Sequence, residues 1–177
     1  PGMTRVGRGR RRTPGSNTNA RLPGLALGRW MRGDLYGSTA LPWINPSRNM
    51  RSLTEATLYP GVGVVEGTNV SVGRGTDTPF ELLGAPWIKA VELSQYLNAR
   101  NISGVRFVPV TFTPNASTHA GQKCQGVNIF LIDRNAFDAA ELGIELASAL
   151  HQLYPGQYRM ERLIELLNNQ SVYNAIA

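Results

Sequence analysis

The 177-residue chain contains one cysteine, Cys124, and two histidines, His119 and His151. A lone thiol excludes an intrachain disulfide and a thiolate metal cluster. His119 and Cys124 stand five residues apart with no second histidine or cysteine beside them, a poor spacing for zinc or for a Cys–His nucleophile. Cys124 reads instead as a small buried residue at a strand entrance. No metal and no cofactor are expected. No apolar run approaches the roughly 18 residues of a membrane-spanning helix. The run "RRRTPG" has no apolar stretch after it, so neither a secretory nor a twin-arginine signal is expected. Acidic residues are missing from the first 21 positions, where Arg5, Arg8, Arg10, Arg11, Arg12 and Arg21 supply six of the 18 basic residues. The other 12 bases face 12 acids, so the net charge of +6 belongs to the N-terminal segment. A nucleic-acid-binding domain carries its basic residues on the folded part. Residues 1–23 therefore read as a disordered Arg/Gly-rich tail, a translated upstream segment rather than a nucleic-acid arm.

What remains is globular in composition, with 42% hydrophobic and 17% charged residues. Residues 24–177 are read as one domain. Positions 24–58 hold Trp30, Tyr36 and Trp43 amid Gly and Pro and show neither a period of 2 nor of 3.6. "GVGVV" (61–65) reads as a buried strand. "WIKAVELSQYLN" has a helical stripe at Ala90, Leu93, Ser94 and Leu97. "VRFVPVTF" (105–112) and "GVNIFLI" (126–132) read as strands, the first at an edge because of Pro109. A helix follows, with Asn135 as N-cap, Asp138 as its partner, an apolar face of Phe137, Ala140, Ile144, Ala147 and Leu150, and Pro155 as its stop. "MERLIELLNN" reads as a shorter final helix. The alternation gives an α/β class, a mixed sheet with flanking helices in a single small lobe.

The chemistry concentrates in "EGTNVSVGRGTDTPFE" (66–81). "GVGVVE" begins like a dinucleotide fingerprint but places Glu66 at the third glycine, and "GTNVSVGRGT" lacks the Gly-Lys-Ser/Thr of a phosphate loop. Two readings stand. Gly67, Gly73 and Gly75 permit close backbone approach, and Arg74 between two glycines can offer a fork to a carboxylate, with Thr68, Asn69, Ser71, Thr76 and Asp77 serving hydroxyls and amides. Alternatively the loop caps its own backbone and Arg74 pairs with Asp77. Glu66 and Asp77, with Asp34 as a third acid, are candidates for a glycosidase carboxylate pair, which needs a separation of about 5–10 Å. A pair of acids on one loop is more often structural. Asn69, Asn101, Asn115 and Asn169 fit the glycosylation pattern, which carries meaning only in a eukaryotic secretory pathway.

The segment "LYPGVGVVEGTNVSVGRGTDTPFELLGAPWI" resembles the signature of the bacterial exo-β-N-acetylmuramidases, formerly a domain of unknown function. The likeness continues in order through "WMRGDLYGSTALPWINPSRNM", "GVRFVPVTFTP", "GQKCQGVNIFLIDR", "LYP" and "LIELLNN", over roughly residues 28–170. It implies a bacterial protein, periplasmic, secreted or cytoplasmic, acting in cell-wall turnover on saccharides ending in N-acetylmuramic acid. Such enzymes pair an N-terminal Rossmann-like lobe, carrying the proposed catalytic glutamate, with a C-terminal lobe across a cleft. The residues here match the C-terminal lobe, so the lone chain is expected to be inactive and to need a partner lobe. The alternative is a non-catalytic binding module for amino sugars or small anions. Glu66, Gly67, Thr68, Asn69, Ser71, Gly73, Arg74, Gly75 and Thr76 match the family's glycine-arginine loop and are expected to face substrate, Arg74 suiting a lactyl carboxylate. Val72 stands where many members have glutamate, and His119 where tyrosine is frequent. Trp30, Trp43 and Trp87 are candidates for apolar surface exposed by the missing lobe.

Overall fold

The computed structural model describes residue 31 and residues 33–177. The expected tail, its boundary at residue 23 and Trp30 lie outside these. The chain divides into two units, Pro1–Leu35 and Tyr36–Ala177. In the first, Asp34 closes a turn: its carboxylate accepts the Met31 amide at 2.7 Å while its own amide donates to the Met31 carbonyl at 3.0 Å.

In the second unit, helix α1 (Leu53–Val62) runs into a 3-10 turn (Gly63–Gly67), and strand β1 (Leu82–Ala85), helix α2 (Ala90–Ala99) and strands β2 (Val105–Phe112) and β3 (Cys124–Leu131) follow. Helices α3 (Ala139–Leu153), α4 (Leu163–Leu167) and α5 (Gln170–Ile176) complete it. The sheet order is β1-β3-β2. Both ladders are antiparallel, so the α/β class with flanking helices stands while the pairing is not mixed. β1 and β2 both run antiparallel to the central β3, so the β1–α2–β2 connection crosses between two strands of the same sense and leaves the place between them for β3, which returns antiparallel beside β2. β2 is an edge strand, which accommodates Pro109, a residue with no N–H to give a second neighbour.

One sheet face supplies Leu83, Ala85, Val105, Phe107, Val127 and Ile129 to the core, all nearly fully buried. The helices close over it with Leu58 and Val62 of α1, Leu93 and Leu97 of α2, and Leu142, Leu146 and Leu150 of α3. The α2 stripe falls where periodicity put it: Ala90, Leu93, Ser94 and Leu97 are its buried residues. The α3 face does not. Leu142, Gly143, Leu146, Ala147, Ala149 and Leu150 are buried, while Ala140 and Ile144 are exposed. The face that packs on α1 is the one carrying Leu142 and Gly143, which lie against Gly61, and the helix also starts later than expected. Asp138 is the N-cap, accepting the Ala140 and Glu141 amides at 2.8 and 3.3 Å. Asn135 belongs to a preceding turn, its amide donating to Asp133 at 2.9 Å.

The expected strand at 61–65 is instead the end of α1 and the turn after it. A side chain on Gly61 would lie 2.5 Å from the Ala139 carbonyl, so the glycines mark close packing of α1 on α3 rather than a strand. Pro60 within the last turn disguises the helix, yet "SLTE" at 52–55 carries capping-box spacing: the Ser52 hydroxyl accepts the Glu55 amide at 3.0 Å. Trp43 and Trp87 are half-buried rather than exposed. Trp43 donates to the Met50 carbonyl at 3.3 Å and meets Tyr36 edge-on, and Trp87 meets Tyr154 edge-on at 5.4 Å. No helix among the described residues is long and apolar enough to cross a membrane.

Because Asp138 alone satisfies two first-turn amides of α3, Asp138→Ala should cost about 1 kcal/mol in urea unfolding, and Asp138→Asn only a fraction of that. Equal losses for both would show that the cap does not hold the helix.

Candidate functional site

The glycine-arginine loop is stitched to the sheet. Ser71 and Gly84 exchange backbone hydrogen bonds of 2.8 and 2.9 Å, adding a one-residue bridge beside β1. The Asn69 side chain fixes the other flank, donating to the Gln157 carbonyl and accepting the Arg159 amide, both at 2.8 Å. Its backbone carbonyl lies 2.9 Å from Nε2 of His119. Both Asn69 side-chain groups are thereby spent on the protein itself. Thr68 and Thr76 hydroxyls donate to the Val65 and Gly73 carbonyls at 2.7 and 2.6 Å, and buried Ser71 accepts the Gly73 amide at 3.3 Å. Much of the loop's polar chemistry is therefore turned inward.

The ion pairs differ from the sequence expectation. Arg74 pairs with Glu66 through Nε, not with Asp77, and its guanidinium lies 5.0 Å from the centre of the Phe80 ring. Asp77 instead faces Arg51, with Oδ1 at 3.9 Å from Nη1. Arg51 also donates from Nη2 to the Thr76 carbonyl at 2.8 Å, and its backbone amide donates to the buried Glu55 carboxylate. The two acids named as a catalytic pair thus serve two different arginines.

These contacts border an open cleft of about 640 Å³. Arg74, Gly75, Thr76 and Asp77 form one wall, Arg48, Asn49 and Arg51 a second, and Phe112, Thr113, Asn115, Ala116 and Ser117 a third. Glu66, Thr68, Asn69, Ser71 and Gly73 stand behind this lining. Gly75 joins two of the walls. Its φ is +81°, its carbonyl accepts the Asn115 amide at 2.8 Å, and a side chain there would fall on the backbone of Ala116. The Phe112 ring lies against Gly84, where any side chain would collide with it. Phe112 is thereby held as a partly exposed aromatic floor. Arg48, Arg51 and Phe112 were missed by sequence reading. The signal for the arginines was present in "SRNMRS", two arginines three apart just before a capping box.

Behind Arg51 lies an acidic pair also unnoticed in the sequence. Glu55 is 2% exposed, and the Ser52 hydroxyl sits 3.5 Å from Glu81. Burial, and then the nearby Glu55 charge, hold Glu81 above the ordinary glutamate range, opposed by the Ser52 hydrogen bond. Burial likewise pushes the Cys124 thiol up, the wrong direction for a nucleophile. Cys124 opens β3 as expected for a small buried residue.

A small α/β lobe offering one arginine-rich wall of an open cleft is the class of module these observations define. Comparison with known proteins places it. The family description "Exo-beta-N-acetylmuramidase NamZ, C-terminal" matches residues 57–177. The chain belongs to that family. The peptidoglycan β-N-acetylmuramidase NamZ of Bacillus subtilis (strain 168) is 41% identical over 140 residues, 79% of this chain and 34% of that protein. Two crystal structures of DUF1343 family proteins from Bacteroides fragilis NCTC 9343, each 26% identical, are similar in fold. One has a TM-score of 0.67, covering 83% of this chain and 37% of that one; the other has a TM-score of 0.51, covering 75% and 35%. The chain spans about a third of the length of these relatives. It is a domain of the exo-β-N-acetylmuramidase family.

Two outcomes follow from this geometry. Gly75→Ala should cost about 2 kcal/mol or more, from the left-handed φ and the collision with Ala116, and should perturb the amide resonances of residues 113–117. Glu81 keeps its proton to higher pH when folded than when unfolded, so its contribution is fully present below the unfolded value and is lost as pH rises through the raised folded value. Glu81→Gln should therefore gain stability relative to the parent as pH rises from about 4 to 7, measured by urea unfolding. A pH-independent difference would refute this.

Proposed function

We propose that this chain forms the substrate-facing lobe of an exo-β-N-acetylmuramidase-type glycosidase, binding the terminal N-acetylmuramic acid of peptidoglycan fragments. The observation that carries the reading is the composition of the cleft. Three arginines, four asparagine or threonine neighbours and one aromatic floor surround a volume suited to a sugar. N-acetylmuramic acid carries a lactyl carboxylate, an acetamido group and an apolar ring face. Arginine, amide-bearing side chains and Phe112 meet these in turn.

The same cleft lacks the means to hydrolyse a glycosidic bond by itself. Asp77 is the single carboxylate among the lining residues, and its side chain is fully exposed. Glycoside hydrolysis ordinarily needs two carboxyl groups at set separation, one of them able to hold a proton. Glu66 is committed to Arg74 behind the wall and cannot supply the second. The remaining acid has to come from a second lobe, the Rossmann-like partner that the family resemblance implies. The stronger competitor is a non-catalytic amino-sugar or small-anion module, since a single-carboxylate cleft serves binding equally well.

In a titration followed by amide chemical shifts, N-acetylmuramic acid should move residues 48–51, 74–77 and 112–117, with N-acetylglucosamine weaker and ATP without effect. Arg74→Ala should weaken binding about tenfold. Release of N-acetylmuramic acid should be undetectable for the lone chain and appear when a homologue's N-terminal lobe is added. Activity of the lone chain would show that its own carboxylates suffice. Binding without activity in the presence of that lobe would favour the non-catalytic module.

A further inference from the structure

The three arginines of the cleft are not equivalent, and their pairing ranks them. Arg74 is neutralised by Glu66 and stacked on Phe80, so its charge is already answered and its plane fixed. Arg48 lines the same cleft, is exposed, and has no carboxylate partner among the described residues. Arg51 lies between these cases. Its Nη2 is anchored on the Thr76 carbonyl at 2.8 Å. Its Nε is buried, lies 3.9 Å from Glu55 Oε1 and donates no hydrogen bond. Its Nη1 meets Asp77 at 3.9 Å, which is an ion pair but too long for a hydrogen bond.

Asp77 contributes little by holding that position. Its side chain is fully exposed, and an exposed pair of this kind is worth little in water. Little therefore opposes its displacement, and in this position it places a carboxylate beside the Arg51 guanidinium. The turn Ser47–Met50, closed by the Met50 amide on the Ser47 carbonyl at 3.1 Å, sets Arg48 three residues from Arg51 on the same wall. Two guanidinium groups from one short segment thus border one cleft, one unpaired and one held by a displaceable acid.

We propose that Arg48 and Arg51 are the pair that reads the lactyl carboxylate of the sugar acid, and that Asp77 is a built-in competitor for Arg51 that sets the affinity. The inference rests on the sugar-binding reading above and assigns the specificity within it. Arg74, first in line from the sequence, becomes a wall element positioned by Glu66. The carboxylate displaces Asp77 from Arg51 and takes two charge-assisted hydrogen-bonding partners in exchange for one loose ion pair.

The test uses the full chain and three probes: N-acetylmuramic acid, its neutral lactyl methyl ester, and N-acetylglucosamine. Affinities are read by isothermal titration or amide shifts. Arg48→Gln should weaken N-acetylmuramic acid roughly tenfold and leave both neutral probes within about twofold. Arg51→Gln should do the same. Because it also frees the Thr76 carbonyl and Glu55, its fold is checked by amide spectra, and Arg48→Gln and Asp77→Asn carry the test if it does not fold. Asp77→Asn should tighten N-acetylmuramic acid by about two- to fivefold without changing the neutral probes. Equal losses on all three probes, or no gain from Asp77→Asn, would overturn the assignment while sugar binding stands. No shift at the cleft with any amino sugar would overturn the assignment and the sugar-binding reading together.

Discussion

The two hydrogen bonds between Ser71 and Gly84 decide what the glycine-arginine segment is. A connecting loop of this length and polarity would ordinarily lie on the surface and move. Pairing with β1 makes it a short extra edge of the sheet, so its position is inherited from β1, β3 and the core beneath them. Ser71 is buried and Val72 packs into the core, which anchors the middle of the segment. Everything past that point hangs from a fixed root: the positive-φ glycines 73 and 75, Arg74 between them, and the Thr76 carbonyl that receives Arg51. The cleft is a consequence of that rigidity. Its three walls come from separate parts of the chain, and they hold their spacing because Gly75 is bonded to Asn115 on one side and Thr76 to Arg51 on the other.

Strands β2 and β3 and helix α2 were readable because their residues carry a local pattern that packing then satisfied, whereas the four-residue β1 is too short to show one. Val105, Phe107, Val127 and Ile129 alternate or run together in β-branched and aromatic types, and the α2 stripe repeats at helical spacing. Helix α1 was hidden because two of its constraints are tertiary. Gly61 is present for close approach to α3, and Pro60 is tolerated near the helix end, but read locally both argue against a helix. The strand expected at 61–65 was the cost of that locality. The α3 face differs because close packing on α1, where Leu142 and Gly143 approach Gly61, selects one stripe among several apolar ones, a tertiary choice that local periodicity does not make.

The site shows the same division. The family motif directs attention to 66–76, and Arg74, Gly75 and Thr76 do line the cleft. Elsewhere in that motif, Asn69 joins the 157–159 segment and Glu66 pairs with Arg74. Arg48 and Arg51 belong to a stretch without helical or strand period, and only the fold brings them opposite the loop. A pairing such as Arg51 with Asp77 spans 26 positions and has no trace in local sequence.

The two readings of the loop, self-capped or ligand-facing, turn out not to compete. A guanidinium free to sample many rotamers would lose that freedom on binding and so weaken it. Glu66 and Phe80 fix Arg74, while Thr76 and Glu55 restrict Arg51 from two sides before any ligand arrives. Thr68, Ser71 and Thr76, with hydroxyls turned inward, hold the backbone that these groups stand on. Self-capping and a cationic wall are therefore compatible, because the inward-turned polar residues hold the backbone on which Arg51 and Arg74 are already positioned.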